Sequence, residues 1–162
     1  MSLTFHTEHP YPIHAVYPLD DGRLLCFNRW YGLLLLDPRT GETRPPSFDC
    51  KRENTSILVD SRNRVWLSPY NQGIECFDTE GRRIAVYNTR NSTLSNDIVL
   101  CMTEHDGEIW IGTDGGGINI LDPERGTISS LDQVSGNLHS MPWNSIRTLY
   151  SCLLYTSDAA DD

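Results

Sequence analysis

The side chains best suited to chemistry in this sequence are flat aromatics beside polar groups: Arg29-Trp30-Tyr31, Tyr70-Asn71-Gln72, Asp114 and Trp143. Aromatic rings offer apolar faces on which a sugar ring can stack, and Arg29, Asn71, Gln72 and Asp114 offer orienting hydrogen bonds. The chemistry expected of this set is glycan binding rather than bond cleavage. Asp20, Asp21 and most other carboxylates fall where turns are expected, with no pair spaced for acid–base work, so no catalytic residue is assigned. Cys26, Cys50, Cys76 and Cys101 lack Cys-x-x-Cys spacing, and His6, His9, His14, His105 and His139 form no ligand pattern; neither a metal nor another cofactor is expected. Gly115-Gly116-Gly117 would cradle a phosphate only at the opening of a helix, and the residues after it read as a strand.

Composition narrows the partners. The 162 residues carry 13 Lys+Arg against 22 Asp+Glu, a formal net charge of −9, which argues against nucleic acid because a phosphate backbone needs clustered cations. A hydrophobic share of 38% suits one globular domain with a buried core. No apolar run approaches the roughly 18 to 20 residues of a bilayer span, the longest being Leu33-Leu34-Leu35-Leu36. Met1 to Tyr17 has neither a basic start nor an apolar stretch of the secretory type.

The elements that position the aromatics come from a repeat. Asp21 to Asp37, Arg62 to Asp78 and Asp106 to Asp122 superpose without a gap, spaced 41 and 44 residues apart. Trp66 and Trp110 align with Leu25; Gly32, Gly73 and Gly117 align, as do Asp37, Asp78 and Asp122. In the third copy four short runs, Ile98 to Thr103, Glu108 to Thr113, Gly117 to Leu121 and Thr127 to Leu131, are separated by Asp, Gly and Pro turns. Such runs predict strands, and no segment keeps a 3.6-residue period. Four antiparallel strands repeating every 40 to 50 residues predict an all-β chain, a partial β-propeller of about three four-stranded blades. The expected blades are residues 13–53, 54–97 and 98–143, with a fourth beginning at 144–150. A closed ring takes roughly four to eight blades, so this piece alone is expected to leave blade faces open and to be prone to association.

Residues 151–162 are expected to lie outside the fold. Cys152 to Asp161 resemble the translation of a transposon mosaic end followed by its primer site, read as TGT CTC TTA TAC ACA TCT GAC GCT GCC GAC. The expectation is an adapter-derived tail on a fragment of a longer protein.

Asn96 to Asp122 closely resembles the two-component regulator propeller repeat, whose pattern is met at Glu104, Gly107, Trp110 to Thr113, Gly116 to Ile118 and Asp122. The second copy is looser, with Asp60, Trp66, Gly73 and Asp78; the first is degenerate, with Leu19 and Leu25 in the acidic and Trp positions. The resemblance implies a ligand-sensing region of a hybrid two-component sensor kinase, typically for oligosaccharides. It also implies a periplasmic location, a dimeric parent, and attachment to the membrane and to a histidine kinase only through parts this chain lacks. The fragment itself is expected not to be an enzyme.

With strands A to D antiparallel in each copy, the B–C turns and the D-to-A connections leave one face, and the A–B and C–D turns leave the other. The first face collects Arg29-Trp30-Tyr31, Tyr70-Asn71-Gln72 and Asp114, together with 91–96 and 137–144, which include His139 and Trp143. Departures from a repeat at equivalent loop positions are where repeat proteins place binding, whereas shared positions hold the fold. Trp66, Trp110, Gly32, Gly73, Gly117, Asp37, Asp78 and Asp122 are therefore read as structural. The alternatives are a secreted glycan-active propeller, lyase or sialidase-like, and a scaffold for protein partners. A sialidase Asp-box needs Asp two residues before the Gly that precedes Trp by three, and those positions hold His105 and Ser61.

Overall fold

The computed structural model describes residues 13–28, 32–46, 53–79, 81–131 and 145–150. Twelve strands fill these segments in chain order. β1 (Ala15–Pro18), β2 (Leu24–Asn28), β3 (Gly32–Leu36) and β4 (Thr43–Arg44) form the first sheet. β5 (Asn54–Val59), β6 (Val65–Pro69), β7 (Ile74–Phe77) and β8 (Arg83–Tyr87) form the second, and β9 (Val99–His105), β10 (Glu108–Thr113), β11 (Ile118–Asp122) and β12 (Thr127–Ser130) the third. Each sheet keeps its strands in sequence order, and every neighbouring pair is antiparallel. These are three four-stranded blades, as the repeat predicts.

The strand bounds differ slightly from those read in the sequence. β9 runs on to His105 because Glu108 pairs with His105 directly across the Asp106-Gly107 turn. Gly117, with a φ of 69°, stays outside β11, whose pairing with β10 begins at Ile118 opposite Gly112.

Packing follows the period of two along each strand. Leu25, Phe27, Leu33 and Leu35 of the first sheet meet Ile57, Val65, Leu67 and Phe77 of the second in one buried cluster. The alternate residues Trp66, Ile74 and Cys76 meet Val99, Met102, Ile109, Ile111 and Leu121 of the third in another. β6 is consequently buried along its whole length, with one face serving each core. Trp66 is 1% exposed, and its ring stacks near Tyr87 at 6.5 Å between centroids. Burial pushes the Cys76 thiol up to about 12, so it behaves as an apolar core group.

The second and third sheets are also tied through polar groups at the A–B and C–D end. Asp60, whose side chain is fully buried, accepts from Trp66 Nε1 at 2.8 Å and from Arg64 Nε at 2.7 Å. Burial works against the Arg64 charge, but Asp60 and Glu124 outweigh it and hold the guanidinium above its usual range. Arg62 and Arg64 reach Glu124 of the third sheet at 2.6 and 3.2 Å. Glu104, which occupies the position of Asp60 one blade later, turns back across the seam and accepts from the Ser61 amide and hydroxyl at 2.6 and 2.5 Å. Among the described residues Trp110 Nε1 has no hydrogen-bond partner, and its ring lies in a T-shaped arrangement with that of His105, 5.7 Å between centroids.

Residues 145–150 follow the third sheet. Ile146 donates its amide to the Thr113 carbonyl at 3.0 Å, and its own carbonyl accepts from Cys101 Sγ at 3.3 Å.

Candidate functional site

The opposite end of the sheets carries the B–C turns. In the second sheet this turn is Tyr70-Asn71-Gln72-Gly73, and its backbone is pinned at three points. Tyr70 N donates to Glu53 O at 2.9 Å, Gln72 N to Pro69 O at 3.1 Å, and Gly73 N to Asp97 O at 2.9 Å. Asn71 takes a φ of 56°, which Asn tolerates better than most residues. The Gly73 carbonyl accepts from the buried Ser68 hydroxyl at 3.1 Å. Tyr70, on this fixed backbone, is 54% exposed and presents an aromatic face to solvent.

In the third sheet the turn is Asp114-Gly115-Gly116-Gly117. Thr113 N and Thr113 Oγ1 both donate to Gly117 O at 3.0 Å, the counterpart of the Ser68 contact one blade earlier. Asp114 N donates to Ile98 O at 2.9 Å, and the exposed Asp114 carboxylate accepts from Ser145 Oγ at 2.5 Å.

Between the two turns runs the connection from β8 to β9, residues 88–98. Its adjacent carbonyls, Asp97 O and Ile98 O, accept from Gly73 and Asp114, one turn each. Asp97 also folds the connection on itself by accepting from Thr89 N and Oγ1 at 2.7 and 2.8 Å. Asn96 Nδ2 donates to Asp114 O at 2.6 Å, and Ser95 Oγ to Gly116 O at 2.7 Å. Beneath it Asn119, 1% exposed in β11, accepts from Ser95 N at 3.1 Å and donates to Ser95 Oγ at 2.7 Å. Leu94 drops into the core beside Trp66.

Of the eight residues expected to bind, Tyr70, Asn71, Gln72 and Asp114 lie at this end, on neighbouring turns joined by the 88–98 connection. Arg29, Trp30, Tyr31 and Trp143 lie outside the described residues, as does His139. Ser95 and Asn96, within the 91–96 segment expected on this face, lie here as well, and the structure adds Asp97 and Asn119, which the sequence did not single out. The repeated Gly73 and Gly117 enter β7 and β11 with φ of 77° and 69°, and Gly32 opens β3 with φ of 80°. Asp37 and Asp122 close C–D turns by accepting from the amides of Arg39 and Glu124 at 2.9 Å, and Asp78 from that of Arg82 at 2.8 Å. The Arg39 side chain and amide hold the Asp37 carboxyl below its usual range; the amides of Arg125 and Glu124, acting against slight desolvation, do the same for Asp122. Among the described residues no group of three or more His, Cys, Asp or Glu is placed to hold a metal ion. No helix among them is long and apolar enough to cross a membrane.

Comparison with known proteins agrees with the fold. Residues 93–115, from the middle of the connection to the B–C turn of the third sheet, match the family described as two component regulator propeller. No curated protein matches the chain. Among solved structures, the chain is similar to the extracellular domain of a protein from B. thetaiotaomicron described as a one component system, with a TM-score of 0.61 and 16% identity over 74% of this chain and 18% of that one. It is also similar to the extracellular domain of a protein described as a hybrid two component system from the same organism, with a TM-score of 0.58 and 20% identity over 76% of this chain and 17% of that one. The chain spans less than a fifth of either domain, and these likenesses establish its fold.

Proposed function

We propose that this chain is a ligand-sensing section of the extracellular region of a hybrid two-component sensor, facing the periplasm, and that its ligand is an oligosaccharide. The observation that carries the reading is Tyr70: a half-exposed aromatic on a backbone pinned by three hydrogen bonds, one of them to the connection that also holds Asp114. A backbone held this way leaves only the ring's own torsions to be ordered when it stacks on a sugar, and the Asp114 carboxylate on the neighbouring turn selects among hydroxyl patterns. The match at 93–115 and the descriptions of the similar structures support the signalling context. In this reading the chain performs no bond-making step. Binding favours one arrangement of a dimeric parent, because a ligand shifts a conformational equilibrium only through unequal affinity for its states.

The test is calorimetric titration of the 162-residue chain with maltohexaose, arabinohexaose, mannohexaose and tetragalacturonate. At least one is expected to bind, and Tyr70→Ala is expected to weaken it about tenfold, roughly 1.4 kcal/mol. Silence from all four, or full affinity in the Tyr70→Ala chain, would overturn the assignment.

A further inference from the structure

We infer that Asn119 is a positioning residue: from the buried third sheet it holds the 88–98 connection as one bar across two B–C turns, so that both halves of the candidate ligand face move together. Its amide lies in β11 at 1% exposure, where an unmatched polar group would be costly, and both of its ends are used on the connection. Oδ1 accepts from the Ser95 amide and Nδ2 donates to Ser95 Oγ, which in turn donates to Gly116 O of the third turn. Two residues along, Asp97 O takes the Gly73 amide of the second turn, and Ile98 O takes that of Asp114. A side chain in the third sheet thus governs a turn of the second sheet that it does not touch.

The repeat does not require this arrangement. The equivalent of Asn119 is Leu34 in the first copy and Glu75 in the second, where the carboxylate lies 3.5 Å from Arg83 at the edge of its own sheet. The three copies share no residue at this position, so within this chain the anchor belongs to the third copy alone. The connection itself is further stiffened by Thr89–Asp97, by Asn88 N donating to Asn91 Oδ1 at 2.8 Å, and by Asn91 Nδ2 donating to Val86 O at 2.9 Å. It consequently moves as a unit once its anchor is lost.

The test is amide hydrogen exchange on the ligand-free 162-residue chain, comparing wild type with Asn119→Ala and with Ser95→Ala, the latter at an exposed residue and keeping the bond from the residue-95 amide to Asn119 Oδ1. Exchange at the Gly73 and Asp114 amides is expected to rise together by about tenfold in Asn119→Ala and by a smaller factor in Ser95→Ala. The Asn63 and Asp60 amides at the far end of the second sheet are expected to keep their rates. If Gly73 keeps its protection while Ser95 loses it, the bar does not couple the turns and the inference fails. An equal rise everywhere in the second and third sheets would reduce Asn119 to ordinary core packing and would also overturn it. Only the meaning of the coupling for binding rests on the oligosaccharide reading. The exchange experiment contains no sugar, so it stands or falls apart from the calorimetric one.

Discussion

At the scale of single residues, the two tryptophans at one repeat position show how far repetition predicts chemistry. Trp66 and Trp110 align, yet Trp66 donates to the buried Asp60, whereas among the described residues Trp110 Nε1 has no partner, Glu104 being engaged with Ser61. Replacing a bonded donor leaves a buried acceptor short, while replacing an unbonded one removes a liability. Trp66→Phe is therefore expected to cost about 1–3 kcal/mol more than Trp110→Phe in urea unfolding; equal costs would refute the difference in bonding. The position of the tryptophans was legible in the sequence from their recurrence. The divergence was not, because it turns on one methylene between Asp60 and Glu104 and on which side of a seam the carboxylate falls.

At the scale of elements, the strands were legible because each turn is written in Gly, Asp, Asn and Pro, and only their ends shifted. The burial of β6 on both faces erases the alternation that would mark an exposed sheet, yet its β-branched and aromatic residues and its flanking turns suffice. The bracing of the 88–98 connection was hidden. Its contacts join residues about 20 positions apart, such as Ser95 to Asn119, and neither spacing nor departure from the repeat signals a polar pair meeting through a fold. Two glycines separate turn chemistry from close packing. Gly107 has φ of 80° with open space around it, whereas at Gly73, φ 77°, an added Cβ would run into the Tyr87 carbonyl of β8. Gly107→Ala is expected to cost about 1–2 kcal/mol, the left-handed strain alone. Gly73→Ala should cost more and should also speed amide exchange in the Ile74–Tyr87 pairing of β7 with β8, which Gly107→Ala should leave intact.

At the scale of the whole molecule, the sheets stack as nearest neighbours, and their outer turns contribute to the response to acid. Asp21, Asp37 and Asp122 have folded-state pKa values below the ordinary range: Asp21 chiefly through the Arg23 side chain, Asp37 through that of Arg39, and Asp122 through the Arg125 amide. A carboxyl depressed by folding adds stability above its unfolded value of about 3.9 and loses it as pH falls through the folded value. Thermal melts followed by circular dichroism are expected to hold a steady Tm from about pH 6 to 5 and to drop below about pH 4. A Tm unchanged at about pH 3 would contradict this. The blade count and architecture were legible at this scale because a repeat of one supersecondary unit prescribes its own stacking. The seam between the second and third sheets carries one more consequence. Arg62 and Arg64 meet Glu124 there, and Glu104 meets Ser61, whereas the third sheet has Asp106 and Glu108 where the second has its arginines. The blades are consequently not interchangeable modules: duplicating, swapping or grafting one would carry its fold along but deliver the wrong sign of charge to its new neighbour. This seam acts as an address that tells the second and third blades where in the array they belong.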